Sequence, residues 1–166
     1  MRIQSGIITA AIVTDAHDHD SPRLPRLLEM ASQHFKIREV LADSAYASAA
    51  NFEAILAKGA KPYINFKRNA KGVKPGAFRE TFLYYKNHRA DWEEHYRRRR
   101  VVEAVWSAVK RMFGEHLRSK GDVAAKNELL LKLLCHNLCC LIRCSHEFGI
   151  EPEFGPAHSN GPRVAG

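Results

Sequence analysis

Tyr96-Arg97-Arg98-Arg99-Arg100-Val101-Val102-Glu103-Ala104-Val105-Trp106-Ser107-Ala108-Val109-Lys110 decides how the rest of the chain is read. The stretch is made of helix-compatible residues and holds neither Gly nor Pro, so it predicts a helix. At ~100° per residue, Tyr96, Arg99, Glu103 and Lys110 fall within an arc of roughly 60°. Val102, Val105, Val109 and Met112 make a separate apolar arc suited to packing on a core. A single carboxylate is thus set in a row with one aromatic ring and two cations. A solvated basic helix with a stray acid is the plain alternative. The spacing Tyr-x2-Arg-x3-Glu-x6-Lys arises by chance in roughly one chain per thousand of this length, given residue usage of ~1 in 20 each.

Outward from this helix, the charge is uneven. The 166 residues carry a net charge of +8, with 45% hydrophobic and 27% charged residues. That composition is that of an ordinary globular chain of one domain, long enough for a sizeable core. Lys58 to Lys74 holds six cations and no acid, and Tyr96 to Lys120 holds eight cations against Glu103 and Glu115. Two basic clusters point to a polyanion, nucleic acid foremost. No signal peptide is legible at Met1-Arg2-Ile3, and no window reaches ~18 uninterrupted apolar residues, so no membrane partner is expected. Cys135, Cys139, Cys140 and Cys144 share one helical segment and point in several directions, which suits buried reduced thiols better than a zinc site or a disulfide.

From the N-terminus, Gly6 to Thr14 is β-branched and apolar and predicts a buried strand. Asp15 to Asp20 mixes acids with His17 and His19. A metal site is conceivable there, but a turn followed by a helix cap is favoured, with Asp20 or Ser21 capping and Pro22 in the first turn. Arg38 to Ala42 predicts a second strand that delivers Asp43 at its carboxyl end, where open α/β sheets hold their ligands. Ser48 caps a helix ending at Gly59. Pro62 to Phe66 predicts a third strand, and residues 69–76 a basic loop. A short helix over Thr81 to Asn87 precedes the Tyr96 helix, drawn from Asp91 to Phe113. Asp122 caps a last apolar helix that stops near Gly149. The tail from 150 to 166 is expected to be disordered.

The Tyr96, Arg99, Glu103, Lys110 spacing resembles the Y-R-E-K signature of bacterial insertion-sequence transposases with a DDE catalytic triad. Ala42-Asp43-Ser44-Ala45-Tyr46, followed by Asn51 and Gly59, is similar to the family's segment carrying its second catalytic Asp. His19-Asp20-Ser21, Asn127-Glu128-Leu129 and His136-Asn137-Leu138 resemble further family elements, so the likeness spans about Gly6 to Gly149. It implies an α/β fold: an incomplete ribonuclease-H-like mixed sheet flanked by helices, with a helical C-terminal half. Residues 1–149 would be a partial DDE catalytic domain. The resemblance implies two Mg²⁺ or Mn²⁺ ions, with Asp43 and Glu103 as catalytic metal ligands. It implies transposon-end DNA as partner, contacted by Tyr96, Arg99 and Lys110 with Arg97, Arg98 and Arg100 beside them. A homodimer or an intact transposase is a second possible partner, and the setting would be bacterial cytoplasm, nucleoid-associated.

The family's first Asp lies on a strand upstream of the one like Gly6 to Thr14, and no counterpart is legible here. Asp15, Asp18 and Asp20 come after that segment. The expectation is therefore an inactive carboxyl-terminal fragment. The alternatives are a non-catalytic module that binds nucleic acid or a transposase, and an unrelated helical nucleic-acid-binding protein.

Overall fold

A computed structural model describes residues 5–14, 18–72 and 75–149. A 3-10 turn, Ser21–Arg23, leads into α1 (Leu24–Ser32), followed by β1 (Glu39–Ala42) and a 3-10 turn, Ser44–Tyr46. Next come α2 (Ala49–Ala57), β2 (Lys61–Ile64), α3 (Ala77–Asn87) and α4 (Arg89–Tyr96). A third 3-10 turn, Arg97–Arg99, opens α5 (Arg100–Phe113), and α6 (Asp122–Phe148) closes the order. Among the described residues the chain is thus mixed α/β and mostly helical, with only helical elements after β2. The expected tail, Asp15 and His17 lie outside the described residues.

β1 and β2 pair in parallel, Glu39 opposite Lys61 through Ala42 opposite Ile64, with α2 as the crossover. Parallel neighbours need such a crossover because no tight hairpin can join them. The core gathers on this unit. Phe52, Ile55 and Ile64 are wholly buried, and Tyr63 and Trp92 nearly so. Phe66 lies 5.3 Å from both the Phe52 and the Phe78 ring, stacked on the first and edge-on to the second. Each such side chain contributes roughly 1.5–3 kcal/mol of apolar burial.

Local chemistry places the caps. Ser48 accepts from the Asn51 N–H at 3.2 Å and starts α2, as its residue type predicts. Gly149 ends α6 in the left-handed region, at φ 63. Asp122 is the first residue of α6 and makes no capping bond, which corrects its expected role. Asp20 likewise caps only through its backbone carbonyl, which accepts from the Arg23 N–H at 2.9 Å.

Residues 6–14 form no strand, against expectation. Among the described residues the sheet has two strands, and this segment joins neither. α6 takes the place of a strand at its first residues: Asn137 bonds both polar groups of Ile8, and His136 Nε2 donates to the Gly6 carbonyl at 3.0 Å. Arg143 donates to the Ser5 carbonyl at 3.2 Å. Beside the segment, an open cavity of about 570 Å³ is lined by residues 7–14, Tyr46, Val102, Trp106, Leu129 and Leu133.

The predicted Asp91–Phe113 helix is broken at Arg97–Arg99, where the winding tightens to 3-10. Its apolar arc is only partly covered: Val109 is buried, whereas Val102 and Met112 are about half exposed. Thiols divide the same way. All four cysteines are free, Cys140 and Cys144 buried but Cys135 and Cys139 exposed. α6 is long and apolar enough, by length and composition, to cross a membrane. Its buried Leu133, His136, Cys140 and Cys144 and its polar bonds to residues 5–8 hold it against the protein.

Candidate functional site

Asp43 follows the last residue of β1, where the sequence places it. Its Oδ1 accepts from the Ala45 N–H at 2.8 Å, so the carboxylate caps the following 3-10 turn while remaining exposed. Asn51, buried to 1%, braces this turn from α2. Its Nδ2 lies 2.9 Å from the Tyr46 carbonyl, 3.1 Å from the Ser21 carbonyl and 3.0 Å from Ser21 Oγ. One amide therefore ties the turn after β1 to the turn before α1. Burial raises the Tyr46 phenol above its ordinary value, and the Asp20 and Asp43 charges raise it further. Asp20 and Asp43 are accordingly both close enough to Tyr46 for their fields to act on it.

Glu103 lies in the first turn of α5, which continues directly from the 3-10 turn Arg97–Arg99 with no free helix end between them. Arg99 Nη2 donates to Glu103 Oε1 at 2.8 Å across one helical turn. The Arg99 guanidinium also sits 5.7 Å from the Tyr96 ring centroid, a cation–π distance. Tyr96, Arg99 and Glu103 are thus joined in one surface row. Lys110 is not joined to Glu103: its ammonium bonds Glu115 Oε1 at 2.8 Å, beyond the end of α5. That contact holds the Glu115 carboxyl below its ordinary value, by hydrogen bond first and charge second.

The four consecutive arginines divide. Arg97 and Arg100 are exposed and Arg99 half-exposed. Arg98 turns inward, donating to Glu39 Oε2 of β1 at 2.7 Å, with His95 Nδ1 3.0 Å from its other nitrogen. The local sequence carries no sign of this, since Glu39 stands 59 positions away. Asn51, Asn137 and Glu39 are the organising polar residues for which sequence reading assigned no such role. Asn137 carried a signal, because a polar residue interrupting the apolar run Leu129 to Ile142 requires a partner.

Among the described residues, no three His, Cys, Asp or Glu side chains gather closely enough to hold a metal ion. The cations of segment 58–72 stay outside the core that its Tyr63, Ile64 and Phe66 help to form: Lys58, Lys61, Lys67, Arg68 and Lys71 are all exposed.

No curated protein matches the chain, and no solved structure does. The family model of the transposase DDE domain matches residues 1–138, a span that contains Asp43, the arginine run, Glu103 and Lys110. A chain matched over that much of its length is a member, and this one belongs to the transposase DDE domain family.

Proposed function

We propose that the protein binds DNA and serves strand cleavage and transfer in DNA transposition, on a ribonuclease-H-like scaffold. The family match through both Asp43 and Glu103 carries this reading. In it, Asp43 and Glu103 are two of the catalytic carboxylates. Arg97, Arg99, Arg100 and Lys110 contact transposon-end phosphates, Tyr96 orients the backbone, and Arg98 backs the row from within. Support comes from exposure: Arg97, Arg100 and Lys110 reach solvent, as a phosphate-binding face requires. The lysines and arginine of the 58–72 segment add a second cationic surface.

Chemistry of this class uses paired divalent ions, Mg²⁺ or Mn²⁺, held by hard carboxylate oxygens. The described residues do not make that set. Asp43 spends one oxygen on its cap, Glu103 is paired with Arg99, and among the described residues neither belongs to a group of three metal-ligating side chains. No catalytic step is therefore assigned to these residues alone. A further carboxylate has to come from outside the described residues, from a second copy, or from an intact transposase. The same observation favours the second reading, a DNA-binding or transposase-interacting module without catalysis.

The test is DNA affinity against salt, read by fluorescence anisotropy on duplexes of unrelated sequence. Binding should be largely independent of sequence, with log K falling linearly as log[salt] rises. A slope near zero would remove the nucleic-acid role.

A further inference from the structure

Asp43 stands at the end of β1 and Glu103 stands on α5, so their separation depends on how α5 leaves the sheet. The helical run meets β1 at the 3-10 turn Arg97–Arg99. There the Arg98 guanidinium reaches Glu39, the first residue of the strand that leads to Asp43, at 2.7 Å. Their side chains are 24% and 20% exposed, against 30% and 63% for the Arg99–Glu103 pair on the surface. His95 completes the joint: Nδ1 lies 3.2 Å from the same Glu39 oxygen, and the ring stacks on Tyr63 of β2 at 4.3 Å. On its other side, His95 Nε2 lies 3.6 Å from Asp91, whose second oxygen accepts from the Tyr84 hydroxyl.

We propose that Glu39 is a positioning residue: by holding Arg98 it keeps residues 97–99 in 3-10 form and so sets the face that α5 presents beside Asp43. This rests on reading Asp43 and Glu103 as one site. The geometry gives the size of the effect. A 3-10 turn advances ~120° and ~2.0 Å per residue, against ~100° and ~1.5 Å in an α-helix. Relaxing three residues to α-helix would turn α5 by about 60° about its axis and draw it in by about 1.5 Å. At a side-chain radius of ~5–6 Å, Glu103 would move by about 5 Å. That exceeds the tolerance of any shared phosphate or ion site, where ~1 Å already matters.

The experiment measures the distance between spin labels at two exposed positions, A45C and S107C, with C135S and C139S removing the exposed native thiols. Glu39→Gln and Arg98→Met should each shift or broaden the distance by about 5 Å. Arg98→Lys, whose ammonium can still meet Glu39, should keep the parent value. Far-UV circular dichroism and thermal melting report whether each variant is folded. An unchanged distance in folded Glu39→Gln and Arg98→Met overturns the proposal. So does a shift that appears only in variants whose far-UV signal is lost, or one that Arg98→Lys reproduces in full. No DNA enters the measurement, so loss of DNA affinity in the parent would sink the proposed function and leave this result standing.

Discussion

Asn137 and Ile8 make the bonds that a neighbouring strand would otherwise make. Asn137 Nδ2 donates to the Ile8 carbonyl and the Ile8 N–H donates to Asn137 Oδ1, each at 2.8 Å. A side-chain amide offers the same donor and acceptor as a peptide group, which is why it can stand in for one. Replacing Asn137 with Leu should cost about 1–3 kcal/mol, two net hydrogen bonds at ~0.5–1.5 each. Hydrogen exchange at the Ile8 amide should accelerate well beyond that of the α2 amides. Unaltered protection at Ile8 would show that the segment is held by apolar contact instead.

The same pair shows where sequence reading stops. Gly6 to Thr14 has every local feature of a buried strand, but β propensity describes fitness for a pleated, half-buried surface and not the presence of a partner. The partner found is 129 residues away. Asp43 at a strand end and Ser48 as a cap were legible because each depends on a few neighbouring residues. The inward turn of Arg98 was not, since the four arginines look alike until Glu39 is brought beside one of them. The Tyr96, Arg99, Glu103 part of the signature row survives the break in the helix because Arg99 and Glu103 remain one turn apart.

That division of the arginines predicts different phenotypes. Arg97→Ala and Arg100→Ala should each reduce the slope of log K against log[salt] by ~0.9 if each meets one phosphate. Arg98→Ala should leave the slope nearly unchanged and instead lower stability by about 1–3 kcal/mol, by stranding the half-buried Glu39. Titrations at several salt concentrations, with chemical denaturation alongside, separate the two outcomes. A full unit of slope lost in Arg98→Ala would place that guanidinium on DNA.

Glu128 should shape the acid limb of the stability curve. Its carboxylate accepts from the Ser119 and Arg118 N–H groups, at 2.8 and 2.9 Å, folding the 114–121 connection back onto α6. Lys132 fastens the same connection through the Gly114 and His116 carbonyls. The backbone bond from Ser119, then that from Arg118, pull the Glu128 carboxyl down to about 2. A folded value below the unfolded one means that the stabilisation is complete above the ordinary carboxylate range. It is lost as pH falls from about 4.5 towards 2. Glu128→Gln should therefore melt lower than the parent at pH 6 and converge with it near pH 2. Parallel melting curves across that whole range would mean that Glu128 contributes nothing through its charge.

Incubated alone with supercoiled plasmid and Mg²⁺ or Mn²⁺, the protein is expected to leave the DNA uncut. Two-ion chemistry requires the attacking and leaving oxygens to be stabilised together, by ions that share carboxylate ligands. Asp43 and Glu103 are the two carboxylates proposed for that role, and among the described residues neither belongs to a group of three side chains that could hold an ion. Asp43→Ala and Glu103→Ala are the controls, because contaminating nuclease would cut equally in all three preparations. Nicking by the parent that both substitutions abolish would overturn the inactive reading. It would also identify the missing donor as a carboxylate within the chain, with Asp20 the first to test, since its charge already acts on Tyr46 together with that of Asp43. In that event Asp20→Asn should abolish nicking while leaving the salt dependence of DNA binding in place, because Asp20 contributes no positive charge to the phosphate-binding face.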